Sequence, residues 1–165
     1  MLLFRKSLVI CLIFLTAGCG FQPLYGRQTQ NADVQRKLAA TYVMPVEGRT
    51  GQIIRNELLD RITPTGIPAR AAYRLKITTE EEKKSLAIDP DNSTNRNNLT
   101  LKAKFEFLGA DGKSVIFKST AQSVSSYNIV TSDFANLSAE KNARKRSALV
   151  IAEKIHRQLS VYLAQ

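Results

Sequence analysis

Two kinds of side chain in this sequence could do chemistry: a cysteine placed behind small residues, and a large excess of amines and guanidinium groups. Only Cys11 and Cys19 occur among the 165 residues. Cys11 lies inside the apolar run from Ser7 to Leu15, and Cys19 follows Ala17-Gly18. A cut before Cys19 would discard the first thiol and leave the second as the new N-terminus. A free thiol there would be a liability in an oxidising compartment, whereas a thioether-linked lipid removes it. No disulfide framework is then available, and the fold must be held by its own core. Catalytic chemistry finds little to work with. His156 is the only histidine, and there is no Gly-x-Ser-x-Gly elbow, His-Glu-x-x-His pair or glycine-rich phosphate loop. The chain is therefore not expected to be an enzyme. Without a second histidine or a cysteine beside it, His156 is expected on a helix surface rather than on a metal.

The residues around Cys19 have the three parts of a secretory signal. Arg5 and Lys6 make a positive start, Ser7 to Leu15 an apolar run, and Ala17-Gly18 a small-residue cleavage site. The run is too short to cross a hydrocarbon core, which takes about 20 helical residues. Leu15-Thr16-Ala17-Gly18-Cys19 resembles the lipobox of bacterial lipoproteins, with Thr16 three places before the cysteine and Leu15 one further out. Two or three acyl chains on Cys19 would anchor the protein permanently, because one chain holds only marginally. Gly20 follows the cysteine; by resemblance to enterobacterial sorting, where aspartate at that place favours the inner membrane, this points to the outer membrane. The expected division is a signal peptide over 1–18, a lipidated tether over 19–36 and a single domain over 37–165. Within the tether, Phe21, Pro23, Leu24 and Tyr25 are apolar beyond what a flexible segment needs. They either pack on the domain edge or bind a partner.

Removing Arg5 and Lys6 from the 24 basic residues leaves 22 against 14 acidic, a net of +8 for the mature chain. Such an excess implies an anionic partner: nucleic acid, an acidic membrane surface or a phosphorylated glycolipid. Secretion argues against nucleic acid; of the two choices that remain, the phosphorylated glycolipid is the better one if the chain faces an outer membrane.

The elements that must position these cations follow from periodicity. Thr41 to Val46 reads as a strand that Pro45 confines to an edge or an end. Thr50 is placed to cap a helix over Gly51 to Ile62, whose Ile54, Leu58 and Ile62 recur every four residues. Ala71 to Thr79 alternates, with Tyr73, Leu75 and Ile77 on one side and Arg74, Lys76 and Thr78 on the other. Glu80 to Lys84 reads as a solvated bulge or hairpin stem, and Asp89 to Ser93 as a turn. Asn98 to Leu108 alternates again, Asp111-Gly112 marks a hairpin, and a strand from Ser114 to Asn128 turns Val115, Phe117 and Ala121 inward. Ser138 is placed to cap a last helix reaching Leu163, striped by Ala148, Ala152, Ile155, Leu159 and Tyr162. The expected class is α+β: two amphipathic helices on one face of a four-stranded, largely antiparallel sheet, in the order β-α-β-β-β-α.

Cys19-Gly20-Phe21-Gln22-Pro23-Leu24-Tyr25-Gly26 resembles the opening of the LptE family of lipopolysaccharide-assembly lipoproteins. Gly51 to Leu58 resembles the first helix of that family, and Arg96 to Ala103 the strand after its long hairpin. Ser125 to Asn128 and the alanine-rich last helix also fit. The resemblance covers essentially the whole mature chain. It implies an outer-membrane lipoprotein with no cofactor beyond its covalent lipid. Its expected partners are the LptD β-barrel, which it would plug and help to assemble, and lipopolysaccharide, which it would bind. An auxiliary lipoprotein of a lipid-transport ABC system and a small envelope hydrolase are the alternatives. The family assigns no lipid-binding residues here; the residues themselves suggest Arg74, Lys76, Lys102, Lys104 and Lys118 on the outward faces of the strands, with Arg96 at the hairpin. These cations either bind phosphate groups through charge-assisted hydrogen bonds or merely solubilise the sheet. Arg144-Lys145-Arg146 falls in the first turns expected of the last helix, the unfavourable end for cations.

Overall fold

The computed structural model describes residues 29–64, 66–86 and 95–165. Helix α1 spans Thr29–Ala39, strand β1 Thr41–Val43 and helix α2 Gly48–Ile62. Strands β2 (Tyr73–Leu86), β3 (Asn95–Gly109) and β4 (Val115–Ile129) follow, and helix α3 (Asp133–Leu163) ends the chain. The sheet order is β1-β2-β3-β4. The α+β class and the order from β1 to α3 agree with the sequence reading, but the sheet is mixed. β1 runs parallel to β2, while β2–β3 and β3–β4 are antiparallel. Parallel neighbours need a crossover, and α2 supplies it.

α1 is a third helix, and it begins inside the segment expected to be a tether. Val34 and Leu38, four residues apart, are buried against the core. Asp33 accepts from Arg36 and Lys37 at i+3 and i+4, the spacing that supports a helix. The Thr41 hydroxyl donates to the Lys37 carbonyl at 2.9 Å and closes α1 onto β1. The domain therefore starts earlier than residue 37. Cys19, Phe21, Pro23, Leu24 and Tyr25, and the turn expected at 89–93, lie outside the described residues.

β1 is shorter than expected and stops before Pro45, which has no N–H to continue a ladder. As the edge strand it is covered by α2, whose Arg55 Nε donates to the Val43 carbonyl at 3.2 Å. α2 begins three residues before its expected start, so Thr50 sits in its first turn and Glu47 occupies the cap position without a side-chain hydrogen bond. Gly51 is where this helix meets the incoming chain. A Cβ there would lie 2.6 Å from Val46 Cγ1, so the helix can approach only because the residue is glycine.

One core lies between the sheet and the helices. It contains Ile54, Leu58 and Ile62 of α2, Ala148, Ile151, Ala152, Ile155 and Leu159 of α3, and Leu75, Leu99, Leu101, Ala103, Phe105 and Phe107 of the strands. The 31 residues of α3 extend about 46 Å, and the 14 residues of β2 about 47 Å. One helix is thus long enough to back the long strands. α3 starts earlier than expected: Ser132, not Ser138, caps it, its Oγ accepting from the Ala135 N–H at 3.3 Å. The turn between β3 and β4 is held by Asp111, which accepts from the Lys113 N–H, the Ser114 N–H and the Ser114 hydroxyl. Those bonds, led by the Ser114 hydroxyl, lower its carboxyl to about 2. Gly112 takes φ 67° beside the Arg74 stem. Val115, expected inward, is 52% exposed, because a bulge opposite Phe107/Leu108 shifts the register between it and Phe117.

Of the two readings for Glu80 to Lys84 the hairpin stem holds and the bulge does not: the stretch is continuous strand in β2, paired antiparallel with β3. Its alternation sends Glu81 and Lys83 toward α3, where Arg144 Nε donates to Glu81 at 2.8 Å and Lys83 Nζ to Glu140 at 3.2 Å. Arg144 also pairs with Glu140, which accepts the Tyr127 hydroxyl at 3.0 Å. Burial opposes the Glu140 charge, but the hydrogen bonds from Lys83 and Tyr127 and the Arg144 charge outweigh it and hold the carboxyl below its ordinary range. Unfolding returns that group to near 4.5. Its contribution to stability is then complete above pH 4.5 and lost as pH falls through the lower folded value. Urea midpoints should fall between neutral pH and about pH 3.5, and Glu140→Gln should flatten that fall. An equally steep fall in the variant would exclude Glu140 as a source.

Candidate functional site

The outer face of the sheet, away from the helices, carries the sequence-selected cations. Strand register decides which of them meet. One row across β2, β3 and β4 reads Lys76, Glu106, Lys118. The next reads Thr78, Lys104, Thr120, and the third Glu80, Lys102, Gln122. Arg74 lies one step beyond the first row, opposite Leu108. The sheet thus gathers Arg74, Lys76, Lys102, Lys104 and Lys118. Arg96 stands apart, between Leu86 and Asn128 at the other end of the strands. Six residues along β3 separate it from Lys102, about 20 Å.

This face is less positive than its list of cations implies. Lys104 Nζ sits 2.6 Å from Glu80 Oε1, and Lys76 Nζ 3.8 Å from Glu106 Oε2. The hydrogen bond and charge of Lys104 pull the Glu80 carboxyl below its usual range. Alternating charge on neighbouring strands stabilises the rows, since opposite charges facing each other across a ladder attract. All four of these side chains remain about half exposed, so the pairs add little to stability. They do lower the field that a distant anion would meet.

The run Arg144-Lys145-Arg146 is dispersed by the helix. Arg144 turns into the pairs with Glu81 and Glu140, and Arg146 reaches the Ser126 carbonyl at 3.4 Å. Lys145 stays exposed. The cost expected from the helix dipole does not arise, because α3 begins at Asp133 and the dipole acts mainly within the first turn. His156 is half-buried rather than on the surface, and burial, then the Arg61 charge, lower its pKa. Among the described residues no group of His, Cys, Asp and Glu could hold a metal ion. No described helix is long and apolar enough to cross a membrane.

A model of the LptE family, described as lipopolysaccharide-assembly, matches residues 38–159. Solved structures repeat the fold at low identity. A Caulobacter crescentus protein described as a lipoprotein shares 23% identity at a TM-score of 0.65, covering 81% of this chain and 98% of its own. A minor lipoprotein of Acinetobacter baumannii shares 18% at 0.56, covering 75% and 92%. Rare lipoprotein B of Shewanella oneidensis shares 12% at 0.54, covering 74% and 94%. No curated protein matches the sequence.

Proposed function

Because this chain belongs to the LptE lipopolysaccharide-assembly family, we propose that it is an outer-membrane lipoprotein that plugs and helps assemble an LptD-type β-barrel and binds lipopolysaccharide during its delivery. The observation that carries this reading is the family match from the last two residues of α1 through nearly all of α3, which takes in the whole sheet. The family is non-enzymatic. Cys19 is the proposed anchor, and Phe21, Pro23, Leu24 and Tyr25 the proposed barrel contacts near it. A plug in a water-filled lumen needs a polar exterior, and the salt-bridged outer sheet face supplies one. Its cations Arg74, Lys76, Lys102, Lys104 and Lys118, with Arg96 apart, are candidates for contact with phosphate groups. Co-purification from detergent-solubilised membranes should bring down a large outer-membrane β-barrel. Recovery of inner-membrane transporter subunits alone would overturn the assignment in favour of an ABC-system accessory.

A further inference from the structure

A second cluster of unneutralised charge lies on the helix side of the sheet. A groove of about 410 Å³ runs between the start of α2 and the third and fourth turns of α3. Arg49, Thr50 and Ile53 line one wall, and Lys141, Asn142, Arg144 and Lys145 the other. Arg144 is held by Glu81 and Glu140. Arg49, Lys141 and Lys145 have no carboxylate within 4 Å among the described residues, in contrast to Lys76 and Lys104 on the outer face. The local backbone adds to the same sign. The first turn of α2 contains no acidic residue, and Glu47 leaves its N–H groups uncapped. Arg49 therefore sits at the positive end of a helix dipole, a placement that costs stability unless an anion answers it.

We propose that this groove is a binding site for a phosphomonoester on a glycolipid. Three unpaired cations, a hydroxyl and an amide surround an opening with Ile53 in its wall, a set that suits a compact anion attached to a less polar body. A phosphomonoester near neutral pH carries a charge of about −1.5 to −2, which answers three cations better than the single charge of a phosphodiester. Charge-assisted hydrogen bonds from Arg49, Lys141 and Lys145 would hold its oxygens. The inference rests on the reading of this protein as a binder of phosphorylated glycolipid, and it assigns one phosphate of that lipid to the helix side, apart from the sheet cations.

The test uses the full mature lipoprotein in detergent and compares three probes by calorimetry. These are a glucosamine-disaccharide lipid bearing phosphomonoesters, the same lipid after phosphatase treatment, and phosphatidylglycerol. Arg49→Gln/Lys141→Gln/Lys145→Gln removes exposed, unpaired charges, and circular dichroism should show an unchanged fold. Its affinity for the phosphomonoester lipid should fall at least about tenfold, with no loss toward the dephosphorylated lipid. Wild-type affinity should also weaken as pH drops below about 6, where the phosphate dianion takes up a proton and becomes a monoanion. Lys102→Glu/Lys104→Glu should lose less. Undiminished binding by the groove variant, or equal loss toward phosphatidylglycerol, would overturn the groove and leave the proposed function standing. Failure of the wild-type protein to bind the phosphomonoester lipid would overturn the lipid-binding part of that function together with the groove.

Discussion

Cys19→Ala should abolish acylation and release the protein from membranes. Cys11 falls on the discarded side of the expected cut, so Cys19 is the single thiol left in the mature chain. Each buried methylene of an acyl chain contributes about 0.8 kcal/mol to membrane binding, and a second chain turns reversible contact into stable anchoring. Removing the attachment atom therefore removes the whole of that contribution at once. Metabolic labelling with a palmitate analogue, followed by fractionation, should show label and membrane association lost together. A variant that still takes up label would refute the anchor. The proposed anchor would also limit reach: nine residues lie between Cys19 and the start of α1 at Thr29, a span of at most about 35 Å, and the folded domain would then work within one such length of the bilayer.

Phe105→Ala should cost about 3–5 kcal/mol, a large fraction of the stability of a domain this size. Phe105 lies in the inner strand β3, 1% exposed, with Ile77 beside it on β2 and Ser119 on β4. Its ring meets Phe117 edge-on, with centroids 6.0 Å apart and planes at 61°. Alanine would leave a cavity between the sheet and the helices, and neighbours held by ladders on both sides cannot collapse into it. The thermal midpoint should fall by about 10 °C, read by circular dichroism. Phe105→Leu should lose distinctly less because most of the volume remains. If both variants melted alike with the parent, the core would not be centred on this ring.

The sequence order of β1 to α3 was legible because the inward residues keep the strand and helix periods. Leu99, Leu101, Ala103, Phe105 and Phe107 alternate without interruption, and every one is buried. Ile54, Leu58 and Ile62 keep the helical period and are buried too. α1 was harder to see because only Val34 and Leu38 mark its apolar side, among Gln, Asn and Arg. A signal was there in the four-residue spacing of those two and of Asp33 with Lys37. The early starts of α2 and α3 were missed for a different reason. Thr50 and Ser138 are acceptable caps locally, but the packing of Gly51 on Val46 and the bond of Ser132 to Ala135 begin each helix sooner.

The chemistry divides along the same line. Sequence alone determined the placement of Cys19 behind small residues, the excess of positive charge, the lack of a recognisable catalytic motif and the family resemblance, since each depends on residue type and order. Tertiary structure decided which cations are neutralised. Strand register sets Lys104 diagonal to Glu80 and Lys76 against Glu106, and the seating of α3 on the sheet sets Arg144 against Glu81. Those carboxylates are 24, 30 and 63 residues away along the chain. Charge acts through distance in space, so a list of basic residues could not show that Lys76 and Lys104 are answered while Arg49, Lys141 and Lys145 are not.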